Sequence, residues 1–130
     1  MKKYKLFILA IILSAAQSFA ALDIFDDVAN SLRSGDAKSI SHFFGNTIDL
    51  TIIDQEEVYS KVQAEQILRD FFSKNTVRSF TLIHKGESKE GARYAIGSMV
   101  TAQGVTYRTY FYLKQQGGTS VIQELRFMRE

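Results

Sequence analysis

His84, in the stretch "FTLIHK", is the side chain of this sequence best suited to proton transfer near neutral pH. Strand alternation puts it on the same face as Phe80 and Leu82, so we expect it to point toward the core side of a sheet. General acid–base chemistry also needs a partner within hydrogen-bond reach. Glu124 and Asp54 are the candidate carboxylates, but the sequence places neither beside His84. A role in chemistry and a role in packing both stay open.

The acidic stretch "DQEE", Asp54 to Glu57, is the segment that most resembles a cation site. A calcium loop needs oxygen ligands at defined spacing and a glycine at its sharp turn, and this stretch has neither. The chain has two distant histidines and no cysteine, which disfavours zinc. We predict no metal site and no cofactor here, and interpret the stretch as an acidic solvated loop before a helix.

Other catalytic signatures are missing from the sequence. It contains no nucleophile elbow, no glycine-rich phosphate loop and no Ser/His/Asp order of a known kind. We therefore predict no catalytic residues and a protein that is not an enzyme.

The stretch "VTYRTYFYL" carries large side chains on both faces of a predicted strand. One face holds Tyr107, Thr109 and Phe111, and the other holds Arg108, Tyr110 and Tyr112. Only one of these faces can belong to a core. Alternation alone does not say which one does.

Two helices come first among the elements that must position these residues. The first is predicted from Asp23 to Ser34, with Asp23 as N-cap and Gly35 as the stop. The second is predicted from Ala37 to Phe44, with Asp36 as its cap. The strand "TIDLTII" follows, and a third helix begins at a capping box of Ser60 and Gln63. Its apolar stripe is suited to lie on a sheet.

From Asn75 onward the apolar pattern has a period of two. Four successive strands are predicted: "VRSFTLIHK", "ARYAIGSMVTA", "VTYRTYFYLK" and "TSVIQELRFMR". Their short connections require antiparallel neighbours. The sequence thus predicts an α+β fold with three helices on a mostly antiparallel sheet.

The first twenty residues are typical of a secretory signal peptide: a basic start, the apolar run "LFILAIIL", and small residues at Ser18 and Ala20. We predict cleavage after Ala20; the alternative is an uncleaved anchor. Residues 21–130 then form one domain, which is periplasmic or secreted and has no membrane span. Its core must be stable without disulfides, because the chain has no cysteine.

The charge balance of the mature chain argues against nucleic-acid binding. The full chain has 16 basic and 14 acidic residues, and Lys2, Lys3 and Lys5 leave with the leader. The remaining 13 basic and 14 acidic residues give a formal charge of −1. A nucleic-acid binder normally shows a basic patch or run.

The order of elements, with "SGDAKSISHFF" and "TIDLTI" in place, resembles the nuclear transport factor 2-like superfamily, also called cystatin-like rolls. Together with the ending "IQELRFMRE", the chain more narrowly resembles the exported bacterial family named domain of unknown function 4783. The resemblance implies a curved sheet wrapped around the long helix as a cone, with a ligand pocket at the open end. It also implies homodimers that pack through the outer face of the sheet.

The ketosteroid isomerase-like branch of this superfamily carries its base, an aspartate, on the strand after the second helix. The matching position in this sequence is Leu50, and the neighbouring Asp49 is expected to point out of the core. The resemblance therefore does not extend to that chemistry.

Two functions follow as predictions. The leading one is an exported, non-enzymatic binding or interaction module that forms homodimers or binds another exported protein; its interface is the outer face, with Arg108, Tyr110 and Tyr112. The alternative is a pocket for a small apolar ligand in the cone, as a carrier or a degenerate isomerase-like enzyme. The candidate pocket residues are Phe72, His84, Tyr107, Thr109 and Phe111.

Overall fold

The computed structural model describes residues 23–88 and 91–130 of the chain. Its three helices are α1 (Ile24–Ser34), α2 (Ala37–Ser41) and α3 (Lys61–Lys74). Its six strands are β1 (Phe44–Ile52), β2 (Gln55–Ser60), β3 (Val77–Glu87), β4 (Arg93–Thr101), β5 (Thr106–Gln116) and β6 (Thr119–Arg129). The predicted leader and its cleavage site lie outside the described residues. None of the described helices is long and apolar enough to cross a membrane.

Helix α1 has the ends that the sequence predicts. The Asp23 side chain accepts a hydrogen bond from the backbone N–H of Phe25 at 3.2 Å. Gly35 ends the helix with φ of 63°, a conformation that glycine adopts without a steric penalty. Phe25, Val28 and Leu32 bury the helix against the sheet.

Helix α2 is shorter than predicted. Asp36 caps it as expected, but it ends at Ser41 rather than at Phe44. The Ile122 backbone N–H donates to the carbonyl oxygen of Phe43 at 2.6 Å, and Phe44 is aligned with Ile122. Pairing with β6 therefore places Phe44 in β1 and Phe43 in the turn that precedes it.

The interpretation of "DQEE" as a loop is wrong from Gln55 onward. Gln55 starts β2, which pairs antiparallel with β1 and places Gln55 opposite Ile52. The two connecting residues are Ile53 and Asp54, and Ile53 has φ of 63°. A β-branched residue is a rare choice at positive φ. The usual hairpin signals were therefore missing from the sequence.

Helix α3 begins at the predicted capping box. The Ser60 hydroxyl accepts from the Gln63 backbone N–H, and the Gln63 side chain accepts from the Ser60 backbone N–H, both at 3.3 Å. Ala64, Leu68, Phe71 and Phe72 form its buried face.

The strands form one mixed sheet in the order β2-β1-β6-β5-β4-β3. The four successive strands β3 to β6 are antiparallel neighbours, as predicted. Strand β1 pairs parallel with β6 on one side and antiparallel with β2 on the other. The sheet is therefore mostly antiparallel, with one parallel pair near its middle.

The core lies between the helices and one face of the sheet. We call that side the inner face and the opposite side the outer face. On the inner face, the ring of Phe80 lies against Gly97. A Cβ atom on residue 97 would be only 2.4 Å from the Cζ atom of Phe80. Gly97 thus lets the Phe80 ring cross the neighbouring strand.

Candidate functional site

Strand β5 has Tyr107, Thr109 and Phe111 on the inner face, each at most 3% exposed. Arg108 is exposed on the outer face, where Tyr110 and Tyr112 are half-buried. Of the two orientations that the alternation of β5 allows, the strand has the one that places Arg108, Tyr110 and Tyr112 on the outer face. The amphipathic tyrosines keep a polar tip available above a partly covered ring.

The inner-face residues of the predicted pocket pack within the core. The Tyr107 ring lies 5.4 Å from Phe71, and the Phe111 ring lies 6.1 Å from Phe25. The Tyr107 hydroxyl donates to the Asn75 side-chain oxygen at 3.0 Å. Phe72 contacts Phe127 edge-on and also borders a polar depression between α3 and the turn that joins α1 to α2. These four predicted pocket residues lie together, buried among other core side chains.

His84 lies on the outer face, so the expectation that it shares a face with Phe80 and Leu82 is wrong. Leu82 is aligned with Gly97, but His84 is aligned with Ile96, the residue next to Gly97. One extra residue, Ile83, therefore forms a bulge, which reverses the alternation after it. The His84 Nε2 atom lies 3.2 Å from the Tyr94 hydroxyl, and the His84 side chain is exposed.

The tyrosines of the outer face form one continuous patch with apolar neighbours. Tyr94 is aligned with Tyr112, and Ile96 with Tyr110, on adjacent strands. The Tyr94 and Tyr110 ring centroids are 6.2 Å apart. A shallow depression of about 320 Å³ beside Tyr110 is lined by Ile96, Arg108, Tyr110, Glu124, Arg126 and Met128. The sequence predicts three residues of this patch, Arg108, Tyr110 and Tyr112.

Three carboxylates, those of Asp49, Glu56 and Glu124, meet on the outer face where β1, β2 and β6 run side by side. We call them the acid cluster. The same Arg126 nitrogen, Nη2, contacts both Glu124 and Glu56, the latter at 3.5 Å. The Oδ1 atom of Asp49 is buried and has no hydrogen-bond partner among the described residues. One guanidinium thus contacts two of the three acids.

The acid cluster also acts on Tyr110. Burial raises the pKa of Tyr110 above its ordinary value, and the negative charge of Glu124 raises that pKa further. The Arg126 guanidinium lies 5.8 Å from the Tyr110 ring and opposes this effect. Tyr110 therefore needs a higher pH to ionise than an ordinary tyrosine does.

Arg108 is different, because it has no ion pair within the part of the chain that the structure describes. It is exposed and flanked by Met128 on β6 and by Ser98 on β4. An arginine beside half-buried tyrosines is typical of the residues that dominate protein interfaces.

The described residues bring no acid–base pair together around His84. Glu124 is on the same face, but it is three strands away, about 14 Å at ordinary strand spacing. Asp54 is exposed in the turn between β1 and β2. Leu50 is buried on the inner face, while Asp49 lies on the outer face as expected.

A cleft that the sequence did not indicate lies between α3 and the hairpin of β1 and β2. We call it the hairpin groove. It has a volume of about 280 Å³, and its walls include Leu50, Ile52, Tyr59, Ile67 and Phe71. Asp70, Lys74 and Asn75 line the same cleft with polar groups. The sequence does not indicate the groove, because it predicts a loop where strand β2, which forms one wall, begins.

Comparison with known proteins gives a family for nearly the whole described chain. A solved protein of the DUF4783 family from Bacteroides uniformis is 23% identical, with a TM-score of 0.77, and covers 83% of this chain and 98% of its own. A Xanthomonas campestris protein named for the association domain of calcium/calmodulin dependent protein kinase II is 14% identical, with a TM-score of 0.61, and covers 82% of this chain and 83% of its own. At these identities the likeness concerns the fold.

A third solved structure, of a protein that carries the NTF2 name, is 13% identical with a TM-score of 0.61 and covers 80% of this chain and 92% of its own. The fold is thus that of the nuclear transport factor 2-like proteins, as the sequence indicates. None of the curated proteins compared matches the chain. The family described as "Domain of unknown function (DUF4783)" matches residues 25–128, and the chain therefore belongs to that family.

Proposed function

We propose that this chain is an exported, non-enzymatic interaction module that forms homodimers through the outer face of its sheet. The observation that carries the proposal is the patch of half-buried tyrosines on that face, beside Arg108, which forms no ion pair with residues 23–88 or 91–130. Tyrosine and arginine are enriched among the residues that contribute most to binding at protein interfaces.

A second copy of the chain is the partner that this face fits. A two-fold interface uses the same patch on both subunits, so the patch must complement itself. The outer face carries both charge signs, with Arg108 and Arg126 on β5 and β6 and the acid cluster beside them. The Xanthomonas campestris protein of the same fold is named for an association domain, which agrees with self-association.

The non-enzymatic part of the proposal is supported by the positions of the titratable groups. His84 lies three strands from Glu124, and the position of the isomerase base is occupied by Leu50. Export is supported by the basic, apolar and small-residue order of residues 1–20.

A small-molecule pocket is the second candidate function, and the hairpin groove favours it. Its apolar walls and few polar groups are typical of ligand pockets, although its volume of about 280 Å³ is at the lower limit for them. Under this second proposal, the hairpin groove is the open end of the cone, and its ligand is a small apolar molecule with one polar end.

Native mass spectrometry of the chain purified from the exported fraction tests both candidates. The proposal expects a dimer whose subunits begin at Ala21 and carry no added mass. A reproducible added mass would favour the pocket instead. A monomer without added mass would contradict both functions.

Replacing Tyr110 and Tyr112 together with Ser is expected to convert the dimer to a monomer, because both rings lose their contacts across the interface. Sedimentation velocity gives the oligomeric state, and circular dichroism checks the fold. Tyr59→Ser, on the inner side of the sheet, is the control and should remain dimeric. A double variant that stays dimeric would show that the outer face is not the interface.

A further inference from the structure

A row of outer-face residues crosses the strands between Arg108 and two carboxylates of the acid cluster, those of Asp49 and Glu124. That row joins Arg126 on β6, Tyr110 on β5 and Ile96 on β4, which are aligned neighbours. On one side lies the next row, with Glu124 and Tyr112. On the other side lies the row of Met128 and Arg108. This row thus separates Arg108 from Asp49 and Glu124. Glu56, the third acid, lies at the end of the row, because Thr51 is aligned with both Arg126 and Glu56.

The two sides of the Tyr110 row carry opposite excess charges. The acid cluster has three carboxylates and one contacting guanidinium, so its formal local charge is −2. Asp49 and Glu124 are aligned on neighbouring strands, and like charges at such positions repel. Arg108 carries a positive charge with no ion pair among the described residues. The side with excess negative charge needs a cation, and the other side offers one.

We propose that Arg108 of one copy neutralises the acid cluster of the second copy, in a dimer whose two-fold axis crosses the strands along the Tyr110 row. This inference rests on the proposed homodimer and adds its orientation. In face-to-face packing, rotation about that axis exchanges the two flanking rows. Arg108 then lies opposite Tyr112 of the other copy, and Glu124 of that copy is displaced sideways by one strand, about 4.8 Å, across a gap of about 10 Å between the two sheets, which the Arg108 and Glu124 side chains fill from both sides. An arginine side chain is long enough to cover that sideways displacement.

An axis along β5 gives a different dimer that the charges disfavour. Residues of β5 would then face their own copies, so the two Arg108 guanidinium groups would meet. Like charges brought together at an interface cost several kcal/mol. The crossing axis instead forms two equivalent ion pairs in each dimer and brings Tyr110 against its own copy. It also brings Arg126 against its own copy, but each Arg126 is already paired with Glu56 and Glu124 of its own chain, whereas Arg108 has no ion pair among the described residues.

Charge reversal on both sides of the Tyr110 row tests the orientation. Arg108→Glu and Glu124→Arg are each expected to weaken the dimer at least about tenfold, since each reversal creates two repulsive contacts. Mixed together, the two variants form a heterodimer in which both pairs again have opposite charges. The expected result is a heterodimer with a dissociation constant within about tenfold of the wild type, measured by sedimentation equilibrium.

Glu124→Arg also removes an internal contact of Arg126, so Asp49→Lys serves as a second acidic-side variant. The Oδ1 atom of Asp49 makes no hydrogen bond among the described residues, and its replacement disturbs less. It should likewise form a heterodimer with Arg108→Glu. Circular dichroism confirms that each variant is folded.

The outcomes separate this inference from the proposed function. A monomeric wild-type chain would contradict both the proposed homodimer and its orientation. A wild-type dimer that the Tyr110 and Tyr112 double variant disrupts, but whose charge variants fail to form heterodimers, would overturn the orientation alone. Restoration in both mixtures, lost at high salt because screening weakens exposed ion pairs, would support the inference.

Discussion

At the scale of single residues, Tyr110 has the most closely constrained environment on the outer face. It lies between Ile96 and Arg126 on the neighbouring strands, and its ring faces that of Tyr94. Burial is the main reason why its pKa is raised, and Glu124 is the second. Both causes favour the neutral phenol over the charged phenolate.

We predict that Tyr110 ionises later than an ordinary tyrosine in an alkaline titration followed by tyrosinate absorbance. Its folded-state pKa lies above the ordinary value of 10.0, so its contribution to stability is present below that pH and is lost as the pH rises further. Tyr110→Phe should remove one late step from the titration. Glu124→Gln should shift that step to lower pH, whereas Glu57→Gln, beside Tyr59, should not. An unchanged titration in Tyr110→Phe would contradict the prediction.

The predictability of individual residues from sequence depends on local regularity. The alternation of β5 correctly groups Arg108, Tyr110 and Tyr112 on one face, because the strand is regular over those positions. The same rule fails for His84, because β3 has a bulge at Ile83. That bulge depends on how β3 pairs with β4, where the ring of Phe80 lies over Gly97. The acid cluster could not be predicted from the sequence either. Asp49, Glu56 and Glu124 lie on three different strands, and only the pairing of those strands in the folded sheet brings them together.

At the scale of elements, the helices are predictable because their ends are chemically marked. Asp23, Asp36 and Ser60 each cap a helix through local hydrogen bonds that need no tertiary partner. The hairpin of β1 and β2 has no such mark. Its turn uses Ile53 at φ of 63°, and the sheet tolerates that strain while the Ile53 backbone N–H donates to Phe127 at 2.7 Å.

We predict that Ile53→Gly raises the free energy of unfolding by about 0.5–1 kcal/mol, because glycine adopts positive φ without the steric cost that isoleucine bears. Ile53 is 43% exposed, so little burial is lost. Urea unfolding measures the change. The matched control is Ile83→Gly, an exposed isoleucine that is not at positive φ, and it should lower stability by about 0.5–1 kcal/mol. Equal losses in both variants would show that the turn at Ile53 is unstrained.

At the scale of the whole molecule, a homodimer couples folding to association. A chain that is more stable as a dimer has a melting temperature that rises with protein concentration. We predict this rise for the wild-type chain and its absence in the Tyr110 and Tyr112 double Ser variant. Differential scanning calorimetry over a wide range of concentrations measures both, and Tyr59→Ser is the control that should retain the rise. A wild-type melting temperature independent of concentration would contradict the dimer.

The parallel pairing of β1 with β6 has a consequence for the order in which the molecule folds. Strand β6 lies between β1 and β5, so the β1–β2 hairpin joins the rest of the sheet only through the last strand of the described chain. Such contacts between distant parts of a sequence slow folding. A chain emerging from the ribosome can form its capped helices and the β1–β2 hairpin, but it cannot complete the sheet until β6 is available. The topology therefore leaves the sheet incomplete until the residues of β6, Thr119–Arg129, have been synthesised.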